Sequence, residues 1–132
     1  MNRLSGNVTL ITGGGKGIGY GLAEAFAEEG SNLVITGRTE SRLLEAKSKL
    51  EQKYGVEVLP IVADGANEEA IKMVVAKTIE RFGKLNTLVN NAQVSKSGLP
   101  LVEHTKEDFD KSMEWRFCRL LPMAQTRRQS RW

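Results

Sequence analysis

Val8-Thr9-Leu10-Ile11-Thr12-Gly13-Gly14-Gly15-Lys16-Gly17-Ile18-Gly19 is the stretch on which the reading of this chain turns. An apolar run breaks into a glycine-rich turn, and helical spacing begins immediately after it. This is the pattern of a strand, a tight bend and a helix start. Glycines let backbone turn sharply and come close to a pyrophosphate, and the free N–H groups and positive dipole end of the following helix receive its charge. The spacing predicts a dinucleotide site here.

A triphosphate-binding loop would need Gly-x-x-x-x-Gly-Lys-Ser/Thr, with the hydroxyl on a metal ion. Lys16 is followed by Gly17, so that reading fails. Gly13, Gly17 and Gly19 instead spell Thr-Gly-x-x-x-Gly-x-Gly.

Outward from the turn, strands and helices are expected to alternate. Ile18, Leu22, Ala25 and Phe26 recur at helical spacing, and Gly30 offers a left-handed closing residue. Asn32 to Thr36 reads as a second strand. Thr39 can cap a helix with Leu43, Ala46 and Leu50 on one face, which Gly55 stops. Val56 to Val62 reads as a third strand, and Pro60 within it cannot donate to a ladder, which places that strand at a sheet edge. Asn67 caps a further helix with Glu68 and Glu69 in its first turn and Ile71, Val74, Val75 and Phe82 on its buried side, closed by Gly83. Leu85 to Asn90 reads as a fourth strand. Beyond a polar loop to His104, Thr105 with Asp108 has the form of a capping box, and Phe109 and Met113 open another apolar face. Four strands alternating with helices predict an α/β fold with a doubly wound, right-handed parallel sheet ordered 3-2-1-4.

Composition narrows the classes. The 132 residues suit one domain. No apolar run is long enough for a bilayer and no secretory leader is legible, so the expected setting is cytoplasmic, with no membrane partner. A single cysteine, Cys118, cannot form an internal disulfide, and no Cys/His cluster has metal-ligand spacing. His104 reads as a loop residue.

The net charge of +3 is unevenly spread. Residues 1–114 hold every acid of the chain and carry a net −2, whereas the last 18 residues hold Arg116, Arg119, Arg127, Arg128 and Arg131 with no acid and no lysine. Both tryptophans also lie there. This shift divides the chain into a body at 1–114 and an arginine-rich tail at 115–132. Specific nucleic-acid binding is not expected, because no recognition motif accompanies the charge.

The body resembles the short-chain dehydrogenase/reductase family. The likeness rests on Gly13, Gly17 and Gly19, on Asp64 after the third strand, and on Asn90-Asn91-Ala92 after the fourth. The family's Asn-Asn-Ala-Gly reads Asn-Asn-Ala-Gln here, with Gln93 replacing the glycine, a variant found within some members. The resemblance implies a Rossmann-type NAD(P)-binding domain over 1–114. It places Gly13, Gly15, Ile18 and Gly19 around the pyrophosphate, Asp64 and Gly65 at the adenine, and Asn90 and Ala92 along the ribose. Read from the residues alone, Asp64 serves equally as a solvated strand end, and Asn90 and Asn91 as ties between strands.

Cofactor choice follows from the end of the second strand. A site for NAD usually holds an acid about 20 residues past the glycine turn, whereas NADP needs cationic donors. Ile35-Thr36-Gly37-Arg38 contains no acid. Arg38 can present a planar fork to a 2′-phosphate and Lys16 can add a point charge, so NADP(H) is expected over NAD(H). The plainer alternative for Arg38 is a solvated turn residue.

The chemistry of the family uses a tyrosine with a lysine four residues later and an upstream serine, acting on an alcohol or carbonyl. Only Tyr20 and Tyr54 exist here, followed four residues on by Glu24 and Val58. No catalytic residue is assigned. Where an asparagine would follow Met113-Glu114, Trp115-Arg116-Phe117 stands. The expectation is the cofactor-binding half of a reductase about twice as long, impaired for hydride transfer, with a tail of atypical origin such as a shifted frame, alternative splicing or a premature stop. The alternatives are a non-catalytic nucleotide-binding or interaction protein that pairs with a full-length relative, or an unstable truncated product. On any of these readings the fourth strand would leave an apolar sheet edge prone to oligomerisation or aggregation.

Overall fold

The computed structural model describes residues 2–64, 67–92 and 105–107. The chain separates into two compact units, Met1–Ala92 and Gln93–Trp132. In the second unit the described stretch comprises Thr105 and two helical residues, Lys106 and Glu107. The sequence expectations at Gly65, Gln93, His104, Asp108, Phe109, Met113 and the arginine-rich tail lie outside the described residues.

The first unit runs β1 (Val8–Thr12), α1 (Gly17–Glu28), β2 (Asn32–Gly37), α2 (Glu40–Tyr54), β3 (Val58–Val62), α3 (Glu68–Phe82) and β4 (Thr87–Val89). The four strands form one sheet in the order β3-β2-β1-β4, and every neighbouring pair is parallel. This is the expected doubly wound α/β arrangement. β1 is buried along its whole length, as a central strand covered on both faces should be.

One half of the core joins Ile11, Leu33, Ile35 and Val58 of the sheet to Ala23 and Ala27 of α1 and to Leu43, Ala46 and Leu50 of α2. The α2 face is the one its sequence spacing predicts. The α1 face is not. Its buried residues are Gly19, Ala23 and Ala27, while Leu22 and Phe26 pack partly buried beside the core and Ile18 and Ala25 stay exposed. The small side chains at i, i+4 and i+8 let α1 lie close to the sheet, and the larger ones fill its flanks. Apolar spacing alone marks the bulky residues and so shifts the expected face by one position.

Pro60 sits where its chemistry allows. Leu33 N donates to the Glu57 carbonyl at 2.9 Å and Ala63 N to the Gly37 carbonyl at 3.0 Å, so the odd-numbered residues of β3 turn their backbone groups towards β2. Pro60 falls on the outward register at the sheet edge, where no donor is required. Val58 N, also outward, donates to Glu51 Oε1 of α2 at 3.1 Å. Strands β3 and β4 are shorter than the sequence pattern predicts, by Val56 and Glu57 in the one and by Leu85, Asn86 and Asn90 in the other.

Two helix starts that look alike in sequence differ in fact. Asn67 Oδ1 accepts from Glu69 N at 3.0 Å and Ala70 N at 3.3 Å, capping α3 as expected. Thr39 occupies the N-cap of α2 but its hydroxyl makes no cap bond. Gly30, Gly55 and Gly83 have φ of +89°, +70° and +75°, the left-handed conformation that follows each helix.

Candidate functional site

The described residues that the sequence assigns to the cofactor lie at the carboxyl ends of the parallel strands. Gly13–Gly19 follow β1, Arg38 follows β2, Asp64 follows β3, and Asn90–Ala92 follow β4. In an open α/β sheet this is where ligands bind, at the point where the strand order reverses, here between β1 and β4.

The bend after β1 is fixed from beneath. Gly13 N and Gly14 N both donate to the Thr36 carbonyl, at 2.8 and 3.2 Å. Gly13 has φ +69° and Gly17 φ +56°, where a side chain would be strained. Gly14 and Gly19 are glycines for lack of room. A Cβ on Gly14 would stand 2.7 Å from Ile35 Cγ2, and one on Gly19 would collide with the Gly13 carbonyl oxygen.

α1 begins at Gly17, and Tyr20 N to the Lys16 carbonyl, at 3.2 Å, is its first ladder bond. The amides of Gly17, Ile18 and Gly19 therefore precede the ladder. No side chain caps them and no acid stands in the first turn, so the positive end of the helix is not neutralised locally. Lys16 and Gly17 are exposed, and Ile18 at 78% is the most exposed large apolar residue among the described residues. Bare amides, a cation and an uncovered apolar side chain thus follow one another at the start of α1.

A bracket joins β1 to the segment after β4. The buried Thr12 hydroxyl accepts from Asn91 N at 3.0 Å and Ala92 N at 2.9 Å, and donates to the Val89 carbonyl at 3.4 Å. Asn91 Nδ2 donates to the Gly13 carbonyl at 3.4 Å. Asn91 thus ties neighbouring strands, one of the two readings left open by the sequence, and Ala92 is exposed beside the glycine bend. The sequence heads the glycine signature with Thr12 but does not show which groups its hydroxyl meets, because the amides it accepts from lie 79 and 80 residues on.

Arg38 is exposed in the bend between β2 and α2. Among the described residues Lys16 and Arg38 make no ion pair, as is true also of Arg42, Lys77, Lys84 and Lys106, whereas Arg3, Lys47, Lys49, Lys53, Lys72 and Arg81 do. Asp64 is exposed and follows Ala63, whose bond to the Gly37 carbonyl draws the end of β3 towards that of β2.

The tyrosines stand on α1 and α2. Burial, with the Glu24 carboxylate adding to it, raises the Tyr20 hydroxyl above its ordinary value of 10.0. A proton-shuttling tyrosine needs the opposite shift. Tyr54 Oη donates to Glu24 Oε1 at 3.5 Å, a link between the two helices. Among the described residues no group of His, Cys, Asp or Glu could hold a metal ion, and no helix is long and apolar enough to cross a membrane.

The sheet order, the glycine bend and the strand-end loops define a Rossmann-type α/β domain. The profile of the short chain dehydrogenase family matches residues 7–127, and the chain belongs to that family. A 12α-hydroxysteroid dehydrogenase from a Clostridium species is 50% identical across 83% of this chain and 45% of its own length. Among solved structures, L-sorbose reductase from Gluconobacter frateurii, complexed with NADPH and L-sorbose, superposes with a TM-score of 0.81 at 36% identity, covering 96% of this chain and 51% of that one. An NAD+-bound xylitol dehydrogenase gives a TM-score of 0.78 at 28% identity, covering 92% and 48%. The chain spans about half the length of the relatives it matches. Both nicotinamide cofactors occur on this fold, so cofactor choice must be argued from side chains.

Proposed function

We propose that this chain is the NADP(H)-binding portion of a short-chain oxidoreductase that moves hydride between a nicotinamide and an alcohol or carbonyl substrate. The observation that carries the reading is the uncapped start of α1, with exposed Lys16 at its N-cap and exposed Arg38 after the neighbouring strand β2, neither in an ion pair among the described residues. The amides of Gly17, Ile18 and Gly19 receive the diphosphate, and Gly13 and Gly15 keep the bend low enough for it to approach. Lys16 and Arg38 take the additional 2′-phosphate, the latter through its planar fork. Asp64 and Gly65 meet the adenine, Asn90 and Ala92 flank the ribose, and Ile18 gives an apolar surface to the bound molecule. When bound, the nicotinamide supplies or accepts the hydride.

The present 132 residues contain no Tyr-x-x-x-Lys pair. Cofactor binding without turnover is therefore the expected behaviour of the chain by itself. Calorimetric titration with NADPH and NADH tests the reading. NADPH binding the more tightly supports it, and a folded chain that takes up neither at millimolar concentration removes it.

The sheet edges favour a second reading, in which the chain binds nucleotide without catalysis and pairs with a full-length relative. The β3 edge is blunted by Pro60 and by the bond from Val58 N to Glu51. β4, Thr87-Leu88-Val89, is half-buried, apolar and free of both proline and charge, and among the described residues no strand lies on its far side. Co-purification with a full-length homologue, and association on concentration in the ultracentrifuge, are the outcomes this reading requires.

A further inference from the structure

A third cation, which the sequence pattern does not mark, has its backbone beside the glycine bend. Arg42 is exposed in the first turns of α2 and, like Lys16 and Arg38, has no ion-pair partner among the described residues. Its backbone lies against the glycine bend. A Cβ on Gly15 would come within 3.7 Å of the Arg42 carbonyl carbon and 3.2 Å of Leu43 Cδ2.

Leu43, which is buried, also reaches within 3.3 Å of a Cβ on Gly37. It is thus wedged between the glycine bend and the end of β2, and it fixes where the first turn of α2 stands. Arg42 is carried at that junction, with Arg38 four residues before it on the strand end.

The acids nearest it on the same helix are engaged or directed elsewhere: Glu45, three residues on, pairs with Lys49 at 2.8 Å. Glu40 borders a hollow of about 230 Å³ together with Pro60, Val62 and Lys77, on the β3 side of α2. Residues two apart on a helix face nearly opposite ways, so Glu40 does not neutralise Arg42. Thr39, at the N-cap, leaves the first amides of α2 uncapped as well.

We propose that Arg42 is a specificity-determining residue, a second guanidinium that engages the 2′-phosphate of a phosphorylated dinucleotide together with Arg38 and Lys16. The inference rests on the cofactor reading above and deepens it. Two guanidiniums, one from the strand end and one from the helix, can hold the phosphate dianion from two directions, which one arginine on a bend cannot do. Arg42 discriminates between cofactors and takes no part in binding the diphosphate they share.

The test titrates the full 132-residue chain and its Arg42→Ala, Arg42→Lys, Arg38→Ala and Lys77→Ala variants with NADPH, NADH, 2′,5′-ADP and 5′-AMP by calorimetry at two salt concentrations. Arg42→Ala is expected to weaken NADPH and 2′,5′-ADP by roughly tenfold, to leave NADH and 5′-AMP within about twofold, and to flatten the salt dependence of the phosphorylated pair. Arg42→Lys should recover part of the loss, and Lys77→Ala should change nothing. If Arg38→Ala erases the NADPH preference while Arg42→Ala leaves it intact, the inference is wrong and the cofactor reading stands. Equal losses for all four ligands would show Arg42 to be structural, and a folded wild-type chain that binds none of them would overturn both.

Discussion

The Thr12 hydroxyl lies 2.9 Å from the Ala92 amide nitrogen and 3.0 Å from that of Asn91, so one buried oxygen holds the segment after β4 against the end of β1. Thr12→Val keeps the shape and removes the acceptor, leaving two amides without their partner. It is expected to cost about 1–3 kcal/mol in denaturant unfolding. Thr12→Ser keeps the oxygen and loses one methyl, with a cost of about 1 kcal/mol or less. Near-equal stability of the two variants would show that the hydroxyl contributes little.

Gly17 and Gly19 are both glycines of the signature, for different reasons. At Gly17 the backbone has φ +56° and a Cβ would meet nothing within 4 Å, so Gly17→Ala carries only conformational strain, about 1–2 kcal/mol. At Gly19 a Cβ would strike the Gly13 carbonyl and stand 2.6 Å from Asn91 Nδ2, and neither the bend nor the bracket can move independently. Gly19→Ala should therefore lower the unfolding midpoint further than Gly17→Ala. It should also displace the Asn91 segment, seen as lost amide protection there in hydrogen exchange. The reverse order of stability would contradict the packing described.

This contrast shows where the sequence was legible. Glycines, prolines and helix-capping asparagines act through local backbone chemistry, so the bend, the edge position of Pro60, the Asn67 cap and the strand order could all be read in advance. The buried face of α1 could not, because it depends on how near the helix approaches the sheet, and Gly19-Ala23-Ala27 is silent on a scale that rewards bulk. Thr39 has the residue type of a cap without the bond. Thr12 and Arg42 gain their meaning from partners 79 to 80 residues away and from a neighbouring loop, respectively, and neither relationship leaves a periodic trace.

Arg38 follows the strand that in NAD-specific relatives of this fold would end in an acid. Arg38→Asp replaces a fork that suits a phosphate dianion with a carboxylate that repels it and can accept from a ribose hydroxyl. The ratio of NADPH to NADH affinity should fall by at least roughly tenfold, with NADH binding unchanged or improved. The preference should also weaken with added salt in the wild-type chain and not in the variant, because both cations are exposed. An unchanged ratio would remove Arg38 from the proposed phosphate site.

Tyr20 gives the alkaline behaviour of the fold a definite sign. Burial first, and the Glu24 carboxylate second, raise its hydroxyl above the ordinary 10.0, against the smaller opposite pull of Lys49 and Lys53. The folded chain therefore retains the Tyr20 proton at a pH where the unfolded chain releases it. The contribution is fully present below the unfolded tyrosine value, and it is lost as pH rises through the higher folded one. In Tyr20→Phe that loss cannot occur. The unfolding free energy of wild type relative to Tyr20→Phe should be constant at neutral pH and decline once the pH passes about 10. In ultraviolet titration the wild-type chain should show a tyrosinate component ionising above 10 that the variant lacks. A difference in stability that stays flat through this range would mean that Tyr20 ionises as freely in the folded chain as in the unfolded one.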